Sequence, residues 1–177
     1  MDYRELGRTG LKLSKIGYGA SSLGAVFHDF DKARGLESVF TAIDQGINFI
    51  DVSPYYGHYK AETVLGEALR QIPRDKFILS TKVGRYGENG VNSWDYSAER
   101  VCRSVYESME RLGIDYIDLI NVHDIEFADL RQIVSETIPA LVELRDKGVV
   151  GHVGITDLQL ENLKWVIENS PEGSVES

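Results

Sequence analysis

Apolar positions along the chain follow two alternating spacings. Runs with β-strand character come first: Ser14–Ala20, then Ile47–Val52, Phe77–Val83, Tyr116–His123 and Val149–Ile155. Between them apolar residues recur at helical spacing: Leu36, Val39, Phe40 and Ile43, stopped by Gly46; Ala61, Val64, Leu65, Ala68 and Leu69, with Pro73 beyond. Ala98, Val101, Val105, Ser108 and Leu112 mark a third helix behind Ser97, a plausible N-cap. A fourth lies within Gln132–Lys147, and Pro139 either opens it or kinks it. Leu160, Leu163, Val166 and Ile167 mark a fifth, closed by Asn169-Ser170-Pro171. Ahead of all this, Tyr3–Leu13 reads as a hairpin turning at Gly7-Arg8-Thr9-Gly10, and Gly84–Asp95 reads as a polar, glycine-rich loop.

Strand followed by helix, repeated with a period of roughly 30 residues, calls for a parallel sheet covered by helices. Two architectures satisfy it, an open doubly wound sheet and part of an eight-stranded barrel. The first is marked by a glycine-rich dinucleotide fingerprint after a strand. Gly17 and Gly19 lack the third glycine of that pattern, so a close approach of backbone to a ligand or to core side chains is the better reading. The second is the expected fold: an incomplete (β/α)8 TIM barrel of about five strand–helix units behind an N-terminal β-hairpin.

Composition narrows the function. The 177 residues carry a net charge of −9, which argues against general nucleic-acid binding, since phosphate contacts need clustered Lys and Arg. The single cysteine, Cys102, lies in a helical segment as a small packing residue and has no intrachain partner. No apolar run approaches the roughly 20 residues of a membrane span, and Met1–Glu5 lacks the apolar core of a signal peptide. The expectation is a cytoplasmic chain acting on a small molecule, with no nucleic-acid or membrane partner and its oligomeric state left open.

The chemistry collects at strand ends. Asp51 closes the second strand, Lys82 lies in the third, His123 ends the fourth, and Tyr56 follows in the loop after Asp51. Parallel strands put these ends on one edge, which in a barrel is the active-site face. A phenol with a pKa of roughly 10 is too weak an acid for easy exchange at neutral pH. A neighbouring ammonium stabilises its phenolate, and a carboxylate keeps that ammonium charged and oriented. An imidazole in reach can polarise a carbonyl. Each residue alone has a plainer reading: a strand Lys at the surface, a structural His, an Asp capping the next element, or Tyr55 as the working phenol with Tyr56 in the packing. Convergence favours the set of Asp51, Tyr56, Lys82 and His123. His28 and His58 fall in loops as surface or pocket-rim residues, and His152 lies inside a strand as a structural one. Motifs for metal binding, a nucleophile elbow or a phosphate-cradling loop are absent.

At these residues the chain resembles the aldo-keto reductase family. Asp51 with Tyr56 five residues on, Lys82 in Ser80-Thr81-Lys82-Val83-Gly84, and His123 in Asn121-Val122-His123-Asp124 match that family's catalytic tetrad in order and spacing. Leu6–Leu11 and Gly46–Asp51 fit as well, and the resemblance runs over essentially the whole chain. Asp51–Gly57, His123–Phe127 and Ile133–Leu141 resemble its L-galactose dehydrogenase-like branch of sugar dehydrogenases. The resemblance implies oxidation of an aldose such as L-galactose or L-fucose to its lactone with NAD or NADP, with Tyr56 exchanging the proton, Asp51 and Lys82 supporting it, and His123 placing the sugar oxygen. Gly19, Ala20 and Ser21 would lie near the nicotinamide ribose. Thr156 and Asp157 occupy the place of the family's Ser-Asn pair against the nicotinamide amide; Asp157 lacks the amide donor and can only accept.

A complete barrel needs eight units, and five are present. The expectation is therefore the N-terminal part of such a domain over 1–177, truncated at its C-terminal side, with the hairpin of residues 1–13 at the barrel bottom. Cofactor phosphate sites usually come from loops after the seventh and eighth strands, so a chain of this length is expected to have little or no activity alone. The alternative is a non-catalytic half-barrel that pairs with a second chain or serves as a regulatory subunit.

Overall fold

A computed structural model describes residues 1–26, 29, 31–87 and 90–177. The predicted hairpin forms from β1 (Tyr3–Glu5) and β2 (Lys12–Ser14), antiparallel, with Tyr3 opposite Ser14. Ser14 thus ends the hairpin instead of opening the first sheet strand, because its backbone N–H and hydroxyl are committed to Asn48 and to the carbonyl of Ile16. Only β3 (Tyr18–Gly19) remains of that strand. Asn48 also donates to the carbonyl of Lys12 at 2.9 Å, which ties the hairpin to the N-terminal end of the next strand.

The main sheet is parallel throughout, in the order β3, β4 (Phe49–Asp51), β5 (Ile78–Val83), β8 (Ile117–Val122) and β9 (Val150–Ile155). Of the helices α1 (Lys32–Asp44), α2 (Lys60–Leu69) and α3 (Ala98–Leu112), the first and third have side-chain caps: Asp31 accepts from the N–H of Arg34, and Ser97 from that of Arg100. Two regions inside the expected loops and helices differ from the sequence reading. The loop 84–95 holds a small hairpin, β6 (Arg85–Tyr86) with β7 (Ser93–Trp94), whose two-residue strands are too short to show a period. The fourth helix begins earlier, at α4 (Leu130–Gln132), passes through a π turn at Ile133–Thr137 and continues as α5 (Ile138–Asp146). Pro139 lies just after this turn; it lacks an N–H, and its ring would strike the carbonyl four residues back in a regular α turn. The wider π turn relieves both demands. Helix α6 (Leu160–Asn169) closes the succession.

Successive residues of a strand face opposite ways. One face of the sheet packs on the helices through two apolar clusters. Ile50, Leu79, Leu65 and Val39 belong to the first, and Ile120, Val122, Val105 and Leu141 to the second. Cys102 packs at the margin of the second cluster, as expected of a small packing residue. The other face carries the polar row at the strand ends. Residues 174–177 lie along β9: the N–H of Glu176 donates to Val153 O at 2.8 Å, and Ile155 N–H to Ser177 O at 3.0 Å. Glu176 is gripped there by His152 at 2.9 Å and Arg145 at 3.2 Å. His152 therefore has the structural task expected of it. No helix among the described residues is long and apolar enough to cross a membrane.

Candidate active site

Register builds the site. Gly19 pairs with Asp51 and Asp51 with Ser80; two residues further along, Lys82 pairs with Asn121 and Asn121 with Gly154. The period of two therefore sends Asp51, Ser80, Lys82, Asn121 and His123 to the same face. Lys82 Nζ donates to Asp51 Oδ2 at 2.7 Å and to Val52 O at 2.9 Å. Asp51 Oδ1 accepts from the Ser80 hydroxyl at 2.8 Å, and Ser80 accepts in turn from Asn121 Nδ2 at 3.0 Å. Lys82 is buried, whereas the Asp51 side chain keeps 32% of its exposure. The pair is thus held from behind and open in front.

Tyr56 comes to this pair because two loops touch without side chains between them. A Cβ on Gly57 would lie 2.1 Å from Gly24 O, and one on Gly24 2.6 Å from Tyr56 O. Gly57 also has φ +62°, the left-handed region where L residues are strained. The Tyr56 ring centre sits 4.9 Å from Lys82 Nζ and 5.8 Å from the His123 ring, edge to face. Among the described residues the Tyr56 hydroxyl has no hydrogen-bond partner, so it is free to meet a ligand. Tyr55 is engaged differently: the guanidinium of Arg85 lies 3.7 Å from its ring centre.

His123 is buried, and its Nδ1 lies 3.1 Å from the Ser53 hydroxyl. Burial, aided by the positive charges of Lys82 and Arg85, lowers its pKa from 6.5 to about 2, so the imidazole is neutral at physiological pH. Its backbone is pinned by Tyr96, whose hydroxyl lies 2.8 Å from His123 O and 2.9 Å from Asp124 O. Burial, reinforced by the negative charges of Asp124 and Glu126, raises the Tyr96 phenol well above its ordinary value and keeps it protonated. Asp124 pairs with Arg85, and Trp94 and Phe127 stack beside that pair with ring centres 5.1 Å apart.

The sequence reading brought Asp51, Tyr56, Lys82 and His123 together, and the structure juxtaposes all four. It did not single out Ser53, Ser80, Asn121 or Arg85. The signal for Ser80 and Asn121 was present: each stands two residues before a chosen residue on the same strand, so each shares its face. Ser53 sits in irregular backbone and Arg85 in a two-residue strand, and neither setting has a period to read.

The expected cofactor contacts divide. Gly19 faces open space beside Asp51, so the strand mouth has room for a flat ring. Ala20 is buried in the first apolar cluster and offers only backbone, while Ser21 is half-buried. Thr156 and Asp157 have other tasks. The Thr156 hydroxyl accepts from the N–H of Asp124 at 2.9 Å. Asp157 accepts from the N–H of Gln159 at 2.7 Å and from Asn162 Nδ2 at 2.8 Å, which turns the chain into α6. Open space at Gly19 is where a nicotinamide would have room, whereas the Thr156 and Asp157 side chains are, as folded, bonded within the chain. His58 is exposed, and His28 lies outside the described residues.

The sequence profile of the Aldo/keto reductase family matches residues 15–174. The chain belongs to the aldo/keto reductase family. It is 47% identical to an L-galactose dehydrogenase of Arabidopsis thaliana over 99% of this chain and 54% of that protein. It is 34% identical to a D-threo-aldose 1-dehydrogenase of Pseudomonas over 91% of this chain and 55% of that one. Among solved structures, an aldo-keto reductase of Bacillus halodurans in its holo form superposes with a TM-score of 0.85 at 31% identity, covering 96% of this chain and 55% of that one. The five parallel strands are thus five units of the aldo/keto reductase (β/α)8 barrel, and the chain spans about half the length of the curated relatives it matches.

Proposed function

We propose that this face carries the proton-transfer half of a nicotinamide-dependent aldose dehydrogenase site, acting on a sugar such as L-galactose or L-fucose. The carrying observation is the unbonded Tyr56 hydroxyl on a ring 4.9 Å from an ammonium that Asp51 holds in place. The names of the two relatives, both sugar dehydrogenases, support the substrate class. Residues 1–177 would form the N-terminal part of that domain, with the hairpin of residues 1–13 at its bottom.

In oxidation, the hemiacetal carbon of the aldose loses a hydride and its hydroxyl loses a proton, which leaves a lactone. NAD or NADP, held at Gly19–Ser21, supplies the hydride acceptor when bound. Tyr56 takes the proton. Lys82 keeps a positive charge beside the ring that accepts it, and Asp51 and Val52 O fix that ammonium by two hydrogen bonds. His123, neutral, donates to the sugar oxygen and orients the carbon. Trp94 and Phe127, stacked and exposed, and Tyr55 under the Arg85 guanidinium give the mouth an aromatic border.

Purified chain titrated with NADH and with NADPH, followed by nicotinamide fluorescence, should show saturable binding, and the same titration reads the preference between them. In a barrel completed by its remaining three units, L-galactose or L-fucose should then drive reduction of the oxidised form, whereas residues 1–177 alone are expected to show little or none. Turnover absent from the completed barrel would overturn the reading.

A further inference from the structure

Ser53 is fully buried, and its hydroxyl touches two groups. It accepts from the N–H of Tyr55 at 3.1 Å, and it lies 3.1 Å from His123 Nδ1. A backbone N–H can only donate, so the Ser53 oxygen is an acceptor toward Tyr55. The hydroxyl has one hydrogen of its own. Among the described residues, the His123 nitrogen is the acceptor within its reach. If Nδ1 carried the proton, that hydroxyl hydrogen would be left buried without a partner, a costly arrangement.

The other ring nitrogen points to the same answer. His123 Nε2 stands 3.5 Å from Asp124 Oδ2. That is too long for a good hydrogen bond but close enough for charge to matter. An Nε2 lone pair facing a carboxylate is repelled, whereas an Nε2–H is attracted. Arg85 holds the carboxylate in place from its far side.

We infer that Ser53 is the positioning residue that fixes His123 as its Nε2–H tautomer, so that the imidazole presents a donor and not a lone pair to a substrate oxygen. Ser53 touches no substrate itself; it acts through the ring. The inference refines the role given to His123 above and rests on that reading for its functional meaning, while the tautomer is a property of the chain without any ligand.

The test is therefore made without cofactor or sugar. In chain labelled with 15N histidine, the His123 ring nitrogens are assigned by their loss in His123→Asn. Their shifts and one-bond couplings at neutral pH report which nitrogen bears hydrogen. The expected result is a protonated Nε2 and a bare Nδ1 in the unsubstituted chain. Ser53→Ala should move the Nδ1 resonance toward the protonated range as the preference is lost, and Ser53→Thr should restore it. A protonated Nδ1 in the unsubstituted chain overturns the inference, and so does an unchanged spectrum in Ser53→Ala. Should Ser53→Ala fail to fold, Ser53→Cys fills the space with a weak donor; the Nδ1 resonance must then move, and its staying in place has the same overturning force. Loss of sugar turnover with the tautomer intact would instead count against the proposed function and leave the Ser53 assignment standing.

Discussion

Two carboxylates flank strand β5, and adjacent residues of that strand reach one each. Thr81 turns toward the helices and donates to Glu62 Oε1 at 2.6 Å; Lys82 turns to the other face and donates to Asp51 Oδ2 at 2.7 Å. Both carboxylates also meet a serine hydroxyl, Ser108 for Glu62 and Ser80 for Asp51. Both have a cation, Arg111 for Glu62 and Lys82 for Asp51. They differ in enclosure. Glu62 is 0% exposed, and α2, α3 and β5 surround it, so nothing else can enter. Asp51 keeps its open front, with a phenol beside it that bonds to nothing. The same chemical pair therefore fastens the helix layer to the sheet on one side of a strand and stands available for proton transfer on the other. Enclosure, not the presence of a charge pair, separates the two.

The sharpest way to break that contrast is at the phenol. Tyr56→Phe removes only an unbonded hydroxyl, so the urea midpoint should stay within error of the unsubstituted chain. In the completed barrel, aldose-dependent turnover should fall by about 10²–10⁴-fold. Unchanged turnover would show that the open carboxylate–ammonium pair serves some other proton carrier. The converse experiment is Glu62→Leu. It leaves Arg111 and the Thr81 hydroxyl facing an apolar side chain, and breaking a buried pair from one side is strongly destabilising. Partial exposure of Arg111 puts the loss near the low end, about 3 kcal/mol by urea denaturation. Nicotinamide titration of the folded fraction should be unaltered. A stability loss confined to Lys82→Met, with Glu62→Leu neutral, would reverse the assignment of the two pairs.

This contrast also shows what a sequence can disclose. The strands after the first and their helices were legible because their apolar runs are long enough to show a period, whereas the first keeps only Tyr18–Gly19, and the four converging residues followed from parallel strands sharing an edge. Asp51 and Lys82 were readable as partners because they close neighbouring strands. Glu62 was not readable. It stands among Ala61, Val64 and Leu65 on the buried side of α2, where a carboxylate looks like a surface residue until Thr81, Ser108 and Arg111 are seen to converge on it from other elements. The π turn before Pro139 and the two-residue strands of the Arg85–Trp94 hairpin stayed hidden for a local reason: a single turn or a pair of residues has no period to read.

Acid should act on the open side through His123. Its folded pKa, about 2, lies below the ordinary 6.5 because burial disfavours the cation and Lys82 and Arg85 add to the penalty. A depressed pKa means that the unfolded chain binds the proton first. The stability tied to the neutral ring is therefore complete above pH 6.5 and drains away as pH falls from there toward 2. By pH 4.5 the loss is about 3 kcal/mol. Carboxylates elsewhere also titrate below pH 5, so the informative quantity is a difference. The urea midpoint of His123→Gln should fall less steeply between pH 6.5 and 4.5 than that of the unsubstituted chain. Parallel slopes would mean that the ring reaches water more easily than its surroundings suggest.

A third carboxylate, Asp157, is neither as enclosed as Glu62 nor set beside a free phenol as Asp51 is. Its place after β9 matches a cofactor contact in the family, yet its two oxygens already accept from Gln159 N–H and Asn162 Nδ2. With both oxygens engaged by its own stretch of chain, Asp157 is a local fastening. Its bonds lie near the surface and within one turn of chain, so the fastening is weak. Asp157→Ala should lower stability by about 1 kcal/mol, the worth of an ordinary hydrogen bond to a charged or neutral acceptor, and should leave nicotinamide binding where it was. Asp157→Asn discriminates further, because an amide can keep one acceptor for Gln159 while offering a donor to a ligand. Tighter nicotinamide binding in Asp157→Asn would show that the side chain can leave α6 when a ligand competes for it. Unchanged binding, together with the small stability loss in Asp157→Ala, would place Asp157 beside Glu62 among the groups that hold the barrel wall together.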